Sequence, residues 1–273
     1  MKIVYFGSDL YLACFEYFVK EHEVLALYTY HNDEDYFKEY AIVCEALKHG
    51  IPVHYESITE EEITRLFKKD GCGLLFSAEY DRIIDVPKEL DNFRGINVHG
   101  SLLPEGRGYY PIESAMQRGL NHIGVTMHKL APKLDRGDII VQHGFELTPE
   151  TDSIDAYLEN AAFIREVLPD VIGNIDKFWN EAKAQTELLP YWKRPGDESL
   201  TLNHDMTRQE ALSVFKSFNS MTQLEENGEW FFVTGMTAGT AALDRDTFKL
   251  SDTLMLYRVA DGHLRLHVQA RRS

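Results

Sequence analysis

Apolar positions in the first half of the chain fall into two alternating textures. Lys2 to Phe6 is a short apolar run that ends at Gly7, and Glu23 to Tyr30, Gly73 to Ser77 and Arg94 to His99 repeat it. Between these runs the spacing lengthens to that of amphipathic helices. One covers roughly Leu10 to Lys20. Another carries Tyr40, Val43, Cys44 and Leu47 on one face and is closed by Gly50 and Pro52. Thr59-Glu60-Glu61-Glu62 opens a third as a capping box, with the Thr hydroxyl on the third backbone N–H and Glu62 reaching back. Short buried strands alternating with helices predict a parallel sheet with crossover helices.

The texture then changes twice. From Ile123 to Leu130 apolar and polar residues alternate, with Thr126 and His128 on one side and Ile123, Val125 and Met127 on the other. Asp138 to Phe145 reads as a further strand, so this part is expected to form an antiparallel edge. A long helix is predicted from Ser153 to Ala182, kinked or split at Pro169. Beyond Leu189 to Gly196 come a short helix, Arg208 to Phe218, and short strands such as Glu229 to Thr234 and Leu254 to Val259. The expected fold is α/β, with a boundary near residue 186. A Rossmann-like, mostly parallel catalytic domain would cover 1–185, and a smaller C-terminal α+β domain 186–273. Phe6-Gly7-Ser8-Asp9-Leu10 lacks the GxGxxG pattern that lets a backbone approach a pyrophosphate, so no bound NAD is expected.

Charge narrows the partners. Lys and Arg number 28 against 44 Asp and Glu, a net charge of −16, which weighs against a polynucleotide because phosphates are bound mainly by Lys and Arg. The basic pair Arg271-Arg272 reads as a solvated tail. No apolar run has the length of a membrane helix, and the first residues read as a buried strand rather than a signal peptide. Cys14, Cys44 and Cys72 lie far apart, as mostly buried, reduced thiols of a cytoplasmic protein do.

Chemistry concentrates in Ile96-Asn97-Val98-His99-Gly100-Ser101-Leu102-Leu103-Pro104-Glu105-Gly106-Arg107-Gly108. Asn97 and His99 share one face of a strand that runs out into a Gly/Pro-rich loop, and open parallel sheets bind ligands at their carboxyl ends. An amide donor beside an imidazole suits acyl chemistry: one stabilises an oxyanion, the other moves a proton. The same residues also fit a His bonded to a loop carbonyl and an Asn in a turn. Leu134-Asp135-Arg136-Gly137-Asp138 reads equally as hairpin chemistry. No His or Cys cluster stands at metal-ligand spacing near its acids, so no metal is expected.

Together these stretches resemble the folate-dependent formyltransferase family, which includes methionyl-tRNA, glycinamide ribonucleotide and sugar N-formyltransferases. The family pattern stands here as Asn97-Val98-His99-Gly100-Ser101-Leu102-Leu103-Pro104, Arg107-Gly108, Gly124-Val125-Thr126 and Asp135-Arg136-Gly137-Asp138. Gly7, His22-Glu23-Val24 and Gly50-Ile51-Pro52-Val53 match similar words upstream, and Asp261-Gly262-His263-Leu264 a late strand. The resemblance implies a catalytic triad of Asn97, His99 and Asp135, with Asp135 orienting His99. His99, Asp135 or a water between them would carry the proton. It also implies that Glu79, Tyr80, Asp81, Arg82, Ile83 and Ile84 cradle the pteridine of 10-formyltetrahydrofolate, largely through backbone groups.

Within that family the acidic linker His31-Asn32-Asp33-Glu34-Asp35 stands where the tRNA enzymes carry a long basic loop, and the chain stops soon after the Asp-Gly-x-Leu strand. The glycinamide ribonucleotide enzymes lack a C-terminal part like 186–273. The implied acceptor is therefore a nucleotide-linked amino sugar, such as one with a 3- or 4-amino group bound for bacterial surface polysaccharide. Ser8, Arg107 and Tyr110 are the candidate acceptor contacts: a hydroxyl beside Gly7, a guanidinium fork for phosphate and an aromatic face. Arg107 pinning its loop, Ser8 capping a helix and Tyr109-Tyr110 packing on the sheet are the alternatives, and Tyr191-Trp192 carries the same one. A homodimer through the C-terminal part is implied as well. Methionyl-tRNA as acceptor, or hydrolysis of 10-formyltetrahydrofolate with water as nucleophile, are the competing readings.

Overall fold

The computed structural model describes residues 1–30, 41–88, 90–187, 189–239 and 246–271. The acidic linker at 31–35 and Arg272 lie outside the described residues. The chain forms two compact units. The first comprises residues 1–108, 124–145 and 157–191, and the second 109–123, 146–156 and 192–273.

In the first unit the early elements are β1 (Lys2–Gly7), α1 (Leu12–Glu21), β2 (Glu23–Tyr28), α2 (Ala41–Lys48), β3 (Val53–His54), α3 (Glu60–Arg65), β4 (Cys72–Ala78) and β5 (Gly95–His99). After α4 (Pro111–Gln117), which belongs to the second unit, come β6 (His122–Lys129), β7 (Ile139–Glu146), α5 (Ser153–Gly173) and α6 (Ile175–Glu181). The sheet order is β3-β2-β1-β4-β5-β6-β7. Pairing is parallel from β3 through β5 and antiparallel between β5 and β6. This is the Rossmann-like, mostly parallel sheet that the alternation predicts, with its antiparallel edge.

The continuous apolar runs have a direct cause: the central strands are covered on both faces. Ile3 and Tyr5 of β1 enter one core with Phe15 and Phe18 of α1 and Ile164 and Leu168 of α5, while Val4 and Phe6 enter a second core with Ile63 of α3 and Leu66.

Two helical details differ from expectation. In α2 the buried residues are Ile42 and Ala46, while Cys44 is exposed and Leu47 is 66% exposed. The Asp9 carboxylate accepts the backbone N–H groups of Ala41 and Ile42, each at 2.9 Å, and this tertiary cap sets the rotation of the helix. The long helix runs through Pro169 and breaks instead at Gly173–Asn174, where Asn174 leaves helical geometry at φ −121°, ψ 36°.

The second unit adds α7 (Asp197–Leu200), β8 (Thr201–Leu202), α8 (Arg208–Phe218), β9 (Gln223–Glu226), β10 (Glu229–Ala238), β11 (Phe248–Ser251), β12 (Leu254–Val259) and β13 (Gly262–Ala270). Its sheet order is β11-β12-β13-β10-β9-β8. Phe218, Phe231, Tyr257, Leu264 and Leu266 build its core. Thr207 and Glu210 form a reciprocal capping box at the start of α8. Gln117 at the end of α4 bonds Ser217 of α8 at 2.8 Å. Among the described residues no helix is long and apolar enough to cross a membrane.

Candidate active site

The carboxyl ends of β1, β4 and β5 are neighbours in the sheet, so the loops that follow them leave from one edge. Gly7 permits the closest approach there. A Cβ on it would lie 2.2 Å from the Ala78 carbonyl oxygen, so a side chain would push β1 and β4 apart.

Asn97 and His99 sit on one face of β5, as their spacing requires. Across the antiparallel ladder Asn97 stands opposite His128 and His99 opposite Thr126. Asn97 Nδ2 lies 3.2 Å from His128 Nε2, and His128 Nδ1 lies 2.8 Å from the Lys129 carbonyl. The His128 side chain is 1% exposed. Burial pushes its pKa down to about 4, aided by His99 and opposed by the Asp135 carboxylate, so near neutral pH the ring is uncharged.

His99 is buried and donates through Nε2 to the Gly106 carbonyl at 2.9 Å. Its Nδ1 therefore faces Asp135, with Oδ1 at 3.9 Å. That is beyond hydrogen-bond range. The loop carbonyl, and no hydrogen bond from Asp135, holds the ring in this structure, with the carboxylate facing Nδ1 at longer range. Asp135 Oδ2 accepts the Gly108 N–H at 3.0 Å, while Oδ1 also lies 3.8 Å from His128 Nε2. One carboxylate thus stands between two imidazoles.

The turn that carries Asp135 is more than a hairpin. Asp135 adopts φ +51°, a left-handed conformation that Asp tolerates better than most residues. A Cβ on Gly137 would fall 1.7 Å from the Lys129 carbonyl oxygen. Gln185 Nε2 donates to the carbonyls of Asp135 and Gly137 at 2.9 and 2.8 Å, clamping the turn. The loop after β5 is held in the same manner. Thr126 Oγ1 donates to the Ser101 carbonyl (2.6 Å) and accepts from Leu103 N and from Gln142 Nε2.

Arg107 is 4% exposed and donates to the carbonyls of Pro104 and Leu189. These bonds fit the clamp on its loop that stood as the alternative to a phosphate fork. Ser8 follows β1 and leads the short turn Asp9–Tyr11 without a capping side-chain bond. Tyr110 belongs to the second unit, where it precedes α4 at φ +50° with the Arg194 guanidinium 5.6 Å from its ring centroid. In that unit Tyr109 N donates to the Trp192 carbonyl, and Trp192 packs under the Arg118 guanidinium at 4.6 Å. Tyr191 is 43% exposed.

The six residues after β4 divide by environment. Glu79 adopts φ +56°; burial raises its pKa above the usual carboxylate range, with His99 pulling it back. Tyr80 packs edge-on against Phe6 with centroids 5.3 Å apart. Arg82 donates to the Tyr55 carbonyl and lies 3.7 Å from Asp81, which is exposed. Ile83 is 59% exposed and Ile84 is buried. From Tyr80 to Pro87 the chain is neither helix nor strand. Among the described residues no cluster of His, Cys, Asp or Glu has the makings of a metal site.

A family model described as formyl transferase matches residues 23–172, more than half of the chain. The chain belongs to this family. The matched span takes in Asn97, His99, His128 and Asp135. A curated methionyl-tRNA formyltransferase from Sulfurihydrogenibium is 33% identical over 160 residues, covering 57% of this chain and 51% of that protein. The chain thus spans about half the length of that relative. The whole chain aligns with HypX from Aquifex aeolicus, solved with tetrahydrofolic acid, at a TM-score of 0.73 and 16% identity, covering 44% of HypX. It also aligns with the N-formyltransferase from Helicobacter canadensis, solved with folinic acid and dTDP-3-aminofucose, at a TM-score of 0.63, 20% identity and 99% coverage of both chains. At such identities the two structures establish the shared fold.

Three residues at this site escaped the sequence reading: His128, Gln142 and Gln185. Only His128 left a signal. The alternation in β6 puts it beside Thr126, and the antiparallel register then sets it against Asn97.

Proposed function

We propose that this chain transfers a formyl group from 10-formyltetrahydrofolate to the amino group of a nucleotide-linked amino sugar, in the cytoplasm. The observation that carries the reaction class is the convergence of Asn97, His99 and Asp135 at the carboxyl edge of the sheet. The residues present suit the folate. The stretch from Tyr80 to Pro87 keeps its backbone out of helix and strand, which suits the donor and acceptor edge of a flat pterin, and Ile83 offers it an exposed apolar side chain. When bound, the co-substrate supplies a formyl carbonyl on a nitrogen leaving group.

The protein's part is polarisation and proton movement. Asn97 Nδ2 donates to the carbonyl oxygen as negative charge develops on it. With Nε2–H committed to Gly106, Nδ1 is the His99 nitrogen that holds or moves the proton lost by the amine. Asp135, 3.9 Å away, stabilises the imidazole while it carries that proton.

Two observations support an amino sugar as acceptor. The net charge of −16 disfavours a polyanion, and the Helicobacter canadensis enzyme aligns with this chain from end to end. Methionyl-tRNA remains the second reading, favoured by the curated relatives. A panel of nucleotide-linked amino sugars and charged methionyl-tRNA, each incubated with 10-formyltetrahydrofolate and read by mass spectrometry, separates them. Formylated tRNA with no formylated sugar overturns the acceptor; tetrahydrofolate release with no amine present points to hydrolysis. The second unit, with its exposed edge strand β11, is the proposed homodimer surface. Light scattering is expected to return twice 31.4 kDa, and a monomer at micromolar concentration defeats that part.

A further inference from the structure

We propose that His128 is a positioning residue: its fixed tautomer dictates which atom of the Asn97 amide serves as hydrogen-bond donor to the reacting carbonyl. The inference rests on the reading of Asn97 as that donor.

A backbone carbonyl only accepts, so the 2.8 Å contact between His128 Nδ1 and the Lys129 carbonyl requires a proton on Nδ1. A neutral imidazole then carries a lone pair on Nε2. That lone pair lies 3.2 Å from Asn97 Nδ2, which only donates. One N–H of the amide is thereby committed to His128, and the second N–H of the same nitrogen is the donor for a developing oxyanion. A charged imidazole reverses the pattern. Its Nε2–H demands the Asn97 carbonyl oxygen, the amide turns over, and an acceptor replaces the donor.

The surroundings hold the useful state. His128 is buried on β6, cross-strand from Asn97, in a ladder that fixes both backbones. The charged or titratable groups that face it are Asp135, with Oδ1 3.8 Å from Nε2, and His99, edge-on at 6.4 Å between ring centroids. Lys129 turns its ammonium to Asp138 at 2.9 Å. Asp135 favours protonation of His128, while burial and His99 oppose it and prevail. His128 itself need not touch the substrate, which makes it a positioning residue and not a catalytic one.

The test has two arms. In the whole protein at neutral pH, nitrogen-15 NMR of the imidazoles is expected to show His128 uncharged, with the proton on Nδ1. A charged ring, or one protonated only on Nε2, overturns the proposal, and this reading requires no acceptor, so it stands apart from the acceptor assignment. For the second arm, His128→Leu removes the acceptor and is expected to lower kcat roughly 10²-fold, the scale of a lost oxyanion donor, with little change in KM for the folate. His128→Gln, whose amide oxygen takes the place of Nε2, is expected to recover most of that loss. Wild-type kcat in His128→Leu, or a folded His128→Gln no better than His128→Leu, sinks it.

Discussion

Replacing Asn97 by Ala separates the chemical role of the amide from its structural one. In the proposed mechanism the substitution removes the donor to the reacting carbonyl, and loss of one such donor costs about 10²- to 10³-fold in kcat, or about 2.7–4 kcal/mol. It also strips His128 Nε2, buried on β6, of its 3.2 Å partner. An orphaned buried acceptor costs about 1–3 kcal/mol of stability, against about 5–15 kcal/mol for a typical domain. The variant should therefore fold, melt somewhat lower, and turn over at least about a hundredfold more slowly. Tetrahydrofolate release at saturating folate and acceptor, beside thermal melting followed by circular dichroism, measures both. If kcat fell and KM for the folate stayed put, the interaction belongs to the transition state. A folded Asn97→Ala enzyme with near-native turnover refutes the reasoning, because the donor would then lie elsewhere.

Three further outcomes follow from the same geometry. His128 is held to about 4 by burial, against an ordinary value of 6.5, so the unfolded chain takes up this proton first as pH falls. Stability contributed by the neutral ring is full above about 6.5 and shrinks toward about 4, by on the order of 3 kcal/mol; urea unfolding at neutral and mildly acid pH should show that slope in the wild type and a shallower one in His128→Gln. Gly137→Ala forces a Cβ onto the Lys129 carbonyl and displaces the turn that carries Asp135, so a stability loss of about 3 kcal/mol together with loss of turnover is expected, and a native melting temperature contradicts it. Cys14 and Cys72 are buried, with burial pushing their thiols up to about 12 and about 11, whereas Cys44 is exposed; alkylation of the native protein should modify Cys44 alone, and early labelling of Cys14 would show that α1 opens readily.

What the sequence discloses follows from whether a signal is local. The strands of the parallel sheet were legible because burial on both faces writes a continuous apolar run, and β1, β2, β4 and β5 appear close to where those runs predict. Asn97 and His99 were legible together because the two-residue period of a strand puts them on one face without reference to any other element. The rotation of α2 was not, because the Asp9 carboxylate that fixes it is distant in sequence. A kink or split of the long helix was assigned to Pro169, the residue whose chemistry most obviously opposes a helix, yet a proline removes only one hydrogen bond and the helix continues past it; the split falls at Gly173 and Asn174. At Arg107 the sequence left two readings open, a phosphate fork and a pin on its own loop. Its fork suits phosphate in general, but a loop rich in Gly and Pro leaves carbonyls without intraloop partners, and Pro104 and Leu189 occupy the guanidinium first. His128 was the costliest omission. On β6 it looks like one polar position in an alternating strand, and only the antiparallel register with β5 makes it the partner of Asn97. The contact that orients the Asn97 amide in our proposal is thus specified by a pairing between strands, so a substitution that shifted that register by one residue would leave every residue of the family motif in place and still remove that contact.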